Sequence, residues 1–566
     1  MSDSSARPFP LLQTKSIPQG TADFEKLRES IVNELYDAIP KHLWLPSSVI
    51  ESAPLDVTDI PRSCGLLTDQ ELDITENYDA TSLAAAIADK KFTSVAVATA
   101  FAKRAAIAHQ LTCCLSAFFM DEAIERAKYL DDYLEKNGKT IGPLHGVPVS
   151  VKEHMAIANH YSSYGFVDTR VFNEADSLLI SILRRAGAVF YVKTNQPQGI
   201  MHLESDSHYG RVNNPHNVNL SAGGSTGGEA ALIAIKGSVL GLGTDIGGSV
   251  RGPCGFSGIH GFKPTTEILS VQGFLPGGFP AELNIAGTTG PMGRSLRDLD
   301  LYMSIVIGAK MYLDDPGVIP LPWHGLATPL AKEKKLKVGV MWTDGAITPQ
   351  PPVQRMLKWA VEKLQEPQAS TEFEVKTFMP YKAAEAIKLI RQMYWPDGGA
   401  GVKAHMQATG EPEFPLTTYV LADAIADKEK TATQVTDMRV QRDDFRAAFV
   451  HSWNKQDVDV VIAPVFVGPA SKHDTAYYWN YTALWNFVDY PGIVVPTGLK
   501  VSKEEDGQAY PADYVPLSDE CKHVKSMWEE GGWEGAPLAL QIIGRRYHDS
   551  ELMASLGKLQ KVLGFA

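Results

Sequence analysis

An α/β fold behind an N-terminal helical cover is predicted by two helix–glycine–strand runs and one punctuated apolar strand. In the first run, apolar positions at helical spacing over residues 178–185 lead to Gly187 as a left-handed stop, and an apolar strand follows at 188–192. The second run repeats the order, with a helix over 229–236, Gly237, and a strand over 239–242. Such alternation marks an α/β domain. The third observation is GPLHGVPVSVKEH, residues 142–154. Two X-Pro steps and two glycines bound a buried strand at 147–151, with Lys152 at its C-terminal end.

The remaining elements follow in chain order. Residues 1–20 read as frayed. Phe24, Leu27, Ile31, Leu35 and Ala38 recur at helical spacing until Pro40 stops them. This helix belongs to an N-terminal extension over residues 1–75 that packs as a cover on the main domain, residues 76–566. A helical region spans 81–109, and an amphipathic helix near 121–136 ends at Asn137-Gly138. After Pro316 the chain is proline-rich for about fifteen residues. A strand at 336–341 and a helix over 353–364, entered through Pro351-Pro352, come next. Short apolar strands follow at 458–463 and 492–495, and no internal repeat is visible.

Composition narrows the function classes. The 566 residues are 44% hydrophobic and 21% charged, as in ordinary globular enzymes. A formal net charge of −13 leaves no basic field for phosphate backbones, so nucleic acid is excluded as a partner. The five cysteines are odd in number, scattered and without zinc spacing, which points to a reducing compartment. Neither a secretory signal nor an apolar run of spanning length occurs, so the expectation is a cytoplasmic protein with no membrane span.

Chemistry concentrates in two glycine–serine clusters, SAGGSTGGEAAL at 221–232 and GLGTDIGGSVRG at 241–252. One short helix and one short strand separate Ser225 from Ser249, enough to return both loops to one sheet edge. Glycine pairs let successive backbone N–H groups turn inward around one point. A concave set of donors beside a serine hydroxyl is what acyl transfer requires. Ile246, Gly247, Gly248 and Ser249 are the candidate donors, and a helix turn beginning just after Ser249 adds a favourable dipole. A phosphate loop does not fit, since neither GxxxxGK[ST] nor GxGxxG is present at either cluster. Serine needs a base, and Lys152 is the candidate, because desolvation at the end of an apolar strand favours its neutral amine.

GPLHGVPVSVKE, SAGGSTGGEAAL, GTDIGGSVR and GAPLALQIIG (535–544) together resemble the motifs of the amidase signature family, in its order and at its spacings. Within the family the chain looks most like fungal acetamidase-type amidases, through LRRAGAVFYVKTN, GPMGRSLRDL and VDVVIAPV as well. The resemblance covers roughly residues 60–560, with a less similar insertion around 316–450. It implies a central mixed β-sheet wrapped by helices, and an amidohydrolase that cleaves a small-molecule carboxamide. It also implies a Ser–cis-Ser–Lys triad in which Lys152 is the base, Ser225 the bridging serine after a cis peptide, and Ser249 the nucleophile. Residues 246–249 would form the oxyanion hole, and a substrate-contacting residue falls near Ile200. No metal and no organic cofactor are implied, and a homo-oligomer is compatible. Two positions depart from common members: Thr226 replaces a second serine, and Glu153 follows the lysine where aspartate is also common.

Three other readings rest on particular residues. HLESDSH, 202–208, gathers two histidines and two acids but lacks metal-ligand spacing, and reads as a polar loop. Residues 223–227 fit G-x-S-x-G, which would make Ser225 the nucleophile of an α/β-hydrolase-type esterase; the second cluster would then have no role. An amidotransferase-like subunit would amidate a carboxylate on a partner-bound substrate, a role that the acidic balance and the N-terminal extension argue against.

Overall fold

The computed structural model describes residues 8–274, 280–331, 334–507 and 510–565. Eleven strands form one sheet: β1 Leu115–Phe118, β2 Pro148–Lys152, β3 Val189–Thr194, β4 Leu240–Asp245, β5 His260–Lys263, β6 Thr288–Gly293, β7 Leu336–Val340, β8 Phe373–Thr377, β9 Val460–Pro464, β10 Gly492–Lys500 and β11 Pro537–Ile543. Their spatial order is β1-β3-β2-β4-β6-β5-β10-β11-β9-β7-β8. β3, β2 and β4 run parallel, as do β9, β7 and β8, while the central pairs are antiparallel. The sheet is mixed, and helices cover it. β2, β3 and β9 are buried at every residue, so their sequences do not alternate apolar and polar as a half-exposed strand would.

The helix–glycine–strand runs fold as expected. Leu178–Arg185 is a helix, and Gly187 follows at φ +101°, where a Cβ would lie 2.6 Å from His145 Cα. The second helix, Gly227–Ala234, starts two residues before the predicted range, directly after the first serine cluster. The helical region at 81–109 is two helices, Ala80–Ala88 and Ser94–Thr112. Thr93 starts the second by accepting from Ala96 N–H, and Lys90 turns the chain at φ 58°.

The N-terminal helix, Ala22–Ala38, is capped by Thr21 and buries Phe24, Ile31 and Leu35 in the same core as the sheet-covering helices. Each such side chain contributes about 1.5–3 kcal/mol of transfer free energy. The frayed reading of 1–20 falls partly outside the described residues. From Phe9 onward it is corrected: Leu12 N–H donates to Gln110 O at 2.8 Å, and Phe9 stacks on Tyr36 at 4.0 Å. This segment is strapped to the domain by backbone pairing that its sequence does not signal. Residues 316–450 supply β7 and β8 to the sheet and several helices, among them Ala383–Met393 and the start of Ala432–Gln456. Among the described residues, no helix is long and apolar enough to cross a membrane.

Candidate active site

Parallel pairing puts the C-terminal ends of β2, β3 and β4 on one edge, with Val151 opposite Leu242 and Lys152 opposite Thr194. In open α/β sheets that edge is where ligands bind. Lys152 closes β2, the first serine loop enters helix Gly227–Ala234, and the second leaves β4 at Asp245. Lys152 Nζ lies 2.6 Å from Ser225 Oγ and donates to Thr244 Oγ1 at 3.1 Å. The Gly224–Ser225 peptide is cis. A Cβ on Gly224 would stand 2.4 Å from His202 O, so only glycine lets the first serine loop pack on residues 202–204.

Lys152 is fully buried, and burial pushes its pKa down to about 7 against weaker opposing pulls from Asp245 and Glu229. Glu229, also buried, is pushed up to about 8, and so carries little charge at neutral pH to hold the ammonium. Its two oxygens accept from Ser150 and from Thr194 Oγ1. Burial would raise Asp245 as well, but the Arg251 guanidinium holds it well below the usual carboxylate range. Arg251 grips Asp245 through Nε and Nη2, each at 3.0 Å, and reaches Gln541 Oε1 at 2.8 Å. Gln541 is the polar residue of GAPLALQIIG, and its amide donates to Pro464 O and Tyr481 O. That motif thus braces the loop of the second cluster.

The braced loop presents Ser249. Ser249 is 6% exposed, and among the described residues its hydroxyl has no hydrogen-bond partner; with Ser225 it faces one cavity of about 520 Å³. The carbonyls of Ile246 and Gly247 are drawn away by Tyr394 Oη at 2.7 Å and Thr482 Oγ1 at 2.8 Å. A trans peptide sets each N–H opposite the preceding carbonyl, so the Ile246 carbonyl held by Tyr394 turns Gly247 N–H the other way. Gly248 N–H is instead bonded to Asp245 Oδ1 at 2.9 Å. Of the four expected donors, Ile246, Gly247 and Ser249 keep N–H groups without a partner among the described residues. Gly248 has φ +132°, and a Cβ there would lie 2.3 Å from Thr482 Oγ1. A seven-residue helix, Arg251–Ser257, follows.

Ile200 lines the cavity at φ 49°, a strained conformation for a β-branched residue. Thr226 Oγ1 donates to Thr244 O at 3.4 Å, and Glu153 Oε1 accepts from Ser163 at 2.8 Å, so both departures are accommodated. HLESDSH is not a solvent-facing loop. His202, Glu204, Asp206 and His208 are all buried, with Arg211 Nη1 on Glu204 at 2.6 Å. Among the described residues no three His, Cys, Asp or Glu side chains gather as a metal site. Thr244 and Asp245 lie within GTDIGGS, a motif that could have flagged them, but the sequence assigns them no role. His154, two residues past the lysine, also lines the cavity, whereas Tyr394 and Thr482 arrive from distant segments with no local signal.

The family model for Amidase matches residues 96–553. A Schizosaccharomyces pombe protein, provisionally named an amidase, is 42% identical over 511 residues, covering 90% of this chain and 94% of that one. An Aspergillus oryzae acetamidase is 34% identical over 556 residues, covering 96% and 99%. Among solved structures, a fatty acid amide hydrolase superposes with a TM-score of 0.90 at 33% identity, covering 96% of this chain and 97% of that one. The esterase reading loses its footing on both counts, since the partner of Ser225 is a lysine and the family is a different one. The chain belongs to the amidase signature family and is an amide-hydrolysing enzyme.

Proposed function

We propose that the enzyme hydrolyses a small-molecule carboxamide to a carboxylic acid and ammonia or an amine, through an acyl-enzyme on Ser249. The observation that carries this reading is the desolvated Lys152 at 2.6 Å from Ser225, beside Ser249 in one cavity. Neutral Lys152 takes the Ser225 proton as Ser225 Oγ takes the proton of Ser249. Ser249 Oγ then forms a bond to the amide carbon, and the carbonyl oxygen takes up negative charge facing the N–H groups of Ile246, Gly247 and Ser249. As the tetrahedral centre collapses, the C–N bond breaks and the proton returns through Ser225 to the departing nitrogen. Water, deprotonated by the same relay, cleaves the ester and restores Ser249. Residues 76–566 carry this chemistry, with residues 1–75 as a cover. The five cysteines are all free, which suits a reducing cytoplasm.

An acyl-enzyme divides the reaction in two, so a stronger nucleophile than water can intercept it. Hydroxylamine added during turnover is expected to yield a hydroxamate, read by mass spectrometry. Ammonia release without any hydroxamate, across several good substrates, would favour direct attack by water. Tyr394→Phe frees the Ile246 carbonyl to rotate and is expected to lower kcat about 10-fold with KM little changed, for a stability cost of about 1 kcal/mol. Steady-state kinetics beside a thermal melt checks it; an unchanged kcat would show that this carbonyl does not set the donors.

A further inference from the structure

The cavity before Ser249 measures about 520 Å³, a size that takes drug-sized ligands. Acetamide has a single methyl beyond its carboxamide and would leave most of that space unfilled. Tyr164, Ile200, Val271 and Phe274 supply apolar wall, and no Arg or Lys is among the described lining residues. The acids that line it are Asp245, already paired with Arg251, and Glu282. A substrate carboxylate would lose its hydration beside Glu282, itself pushed up by burial, with no cation among the described lining residues to offset that loss.

One polar group on this wall has a fixed role. Gln196 Nε2 donates to Ser163 O at 2.8 Å, which anchors the amide and turns Gln196 Oε1 toward His154 Nδ1 at 2.8 Å. A carbonyl oxygen only accepts, so Nδ1 carries the ring proton. Burial, with Lys152 adding to it, pushes the ring pKa down to about 3, so His154 stays neutral at working pH. Nε2 is then a bare acceptor, and its partner among the described residues is Thr244 Oγ1 at 3.5 Å, the far limit of a hydrogen bond. Thr244 Oγ1 also takes Lys152 Nζ, which puts His154 on the relay side, where the departing nitrogen receives its proton.

We propose that this site selects neutral amides with a bulky apolar body that present a hydrogen-bond donor to His154 Nε2 on the leaving-group side, and disfavours acetamide-sized and acidic amides. The inference rests on the amide-hydrolase reading above and adds the substrate class. A buried acceptor that the wrong substrate leaves with only the long Thr244 contact gives the discrimination, while the apolar wall gives the size preference.

The test compares kcat/KM for acetamide, phenylacetamide, N-(3-hydroxypropyl)phenylacetamide, N-butylphenylacetamide and N-phenylacetyl-β-alanine, following acid product by chromatography. Phenylacetamide is expected to exceed acetamide by ~100-fold, the scale of a buried apolar group. The hydroxypropyl amide is expected to exceed its butyl isostere by ~10-fold, and the acidic amide to be the poorest. His154→Phe should bring the hydroxypropyl-to-butyl ratio to about one and leave the phenylacetamide-to-acetamide ratio unchanged; His154→Gln, which keeps an acceptor, should restore part of the first. The wild-type ratios decide the matter if His154→Phe does not fold. Acetamide turned over as well as phenylacetamide, or equal rates for the hydroxypropyl and butyl amides, would overturn the proposal while leaving the amidase reading in place. No acid product from any of the five, with Ser249 unreactive to a fluorophosphonate, would overturn both.

Discussion

Ser249→Ala is expected to abolish turnover, by ~10⁴-fold or more, together with covalent labelling by a fluorophosphonate. The size follows from the role. Without Oγ no acyl-enzyme forms, and what remains is the polarisation of a bound amide by the N–H groups of Ile246, Gly247 and Ser249. The fold should survive, because the Ser249 hydroxyl has no partner among the described residues, and the loop is held by other atoms: Asp245 carboxylate on Gly248 and Val250 N–H, and Thr482 on Gly247 O. A circular-dichroism melt close to wild type, with activity gone, is therefore the expected pair of results. Mass spectrometry of the labelled wild-type peptide should place the adduct on Ser249. An adduct on Ser225 would reverse the roles of the two serines and revive the esterase reading. Ser225→Ala should be less severe, since the nucleophile and its donors remain and only the bridge to Lys152 is lost.

The parts of this site that could be read from sequence are those whose physics is local. Glycine pairs beside Ser225 and Ser249 read as places where backbone N–H groups can turn inward, and at Gly224 and Gly248 a Cβ would clash with its neighbours. The 147–151 strand and its terminal Lys152 were legible because proline and glycine punctuate an apolar run. What escaped was set by tertiary approach. Tyr394 reaches Ile246 O across 148 residues, and Thr482 reaches Gly247 O across 235. Neither lies in a segment with any periodic or motif signal for that task. Residues 316–450 read only as a less similar insertion, and nothing in them signalled that Tyr394 would reach the second serine loop. His154 was visible as a residue but not as an acceptor, because its tautomer depends on Gln196 and, through it, on the Ser163 carbonyl. The HLESDSH segment, which reads as a polar loop, is buried instead, with Arg211 paired to Glu204 and Asp206.

Lys152→Ala is expected to lower turnover by at least ~100-fold, the scale of losing a general base, and to remove the pH dependence that this group imposes. A free lysine titrates at about 10.4, so at neutral pH almost none is neutral. Here burial brings the pKa down to about 7, with Asp245 and Glu229 pulling weakly the other way and neutral His154 close by. The rate should therefore rise with pH through an acidic limb centred near 7, as the ammonium gives up its proton. Lys152→Arg should not rescue, since a guanidinium stays protonated and its fork does not fit the space of one amine. The same shift fixes a stability trend. Between about pH 7 and 10, the unfolded chain holds a proton on this lysine that the folded chain has lost. Unfolding then takes up protons, and the lysine's contribution to stability rises with pH across that window. Below it, the folded state bears the full cost of a buried ammonium, a few kcal/mol. Lys152→Met, apolar and similar in length, should consequently be inactive yet melt higher than wild type at pH 6, with the gap closing toward pH 10. Thermal melts at the two pH values, set beside the rate profile, separate the cases. A Lys152→Met or Lys152→Arg enzyme that keeps a near-native rate and the same acidic limb would place the base elsewhere.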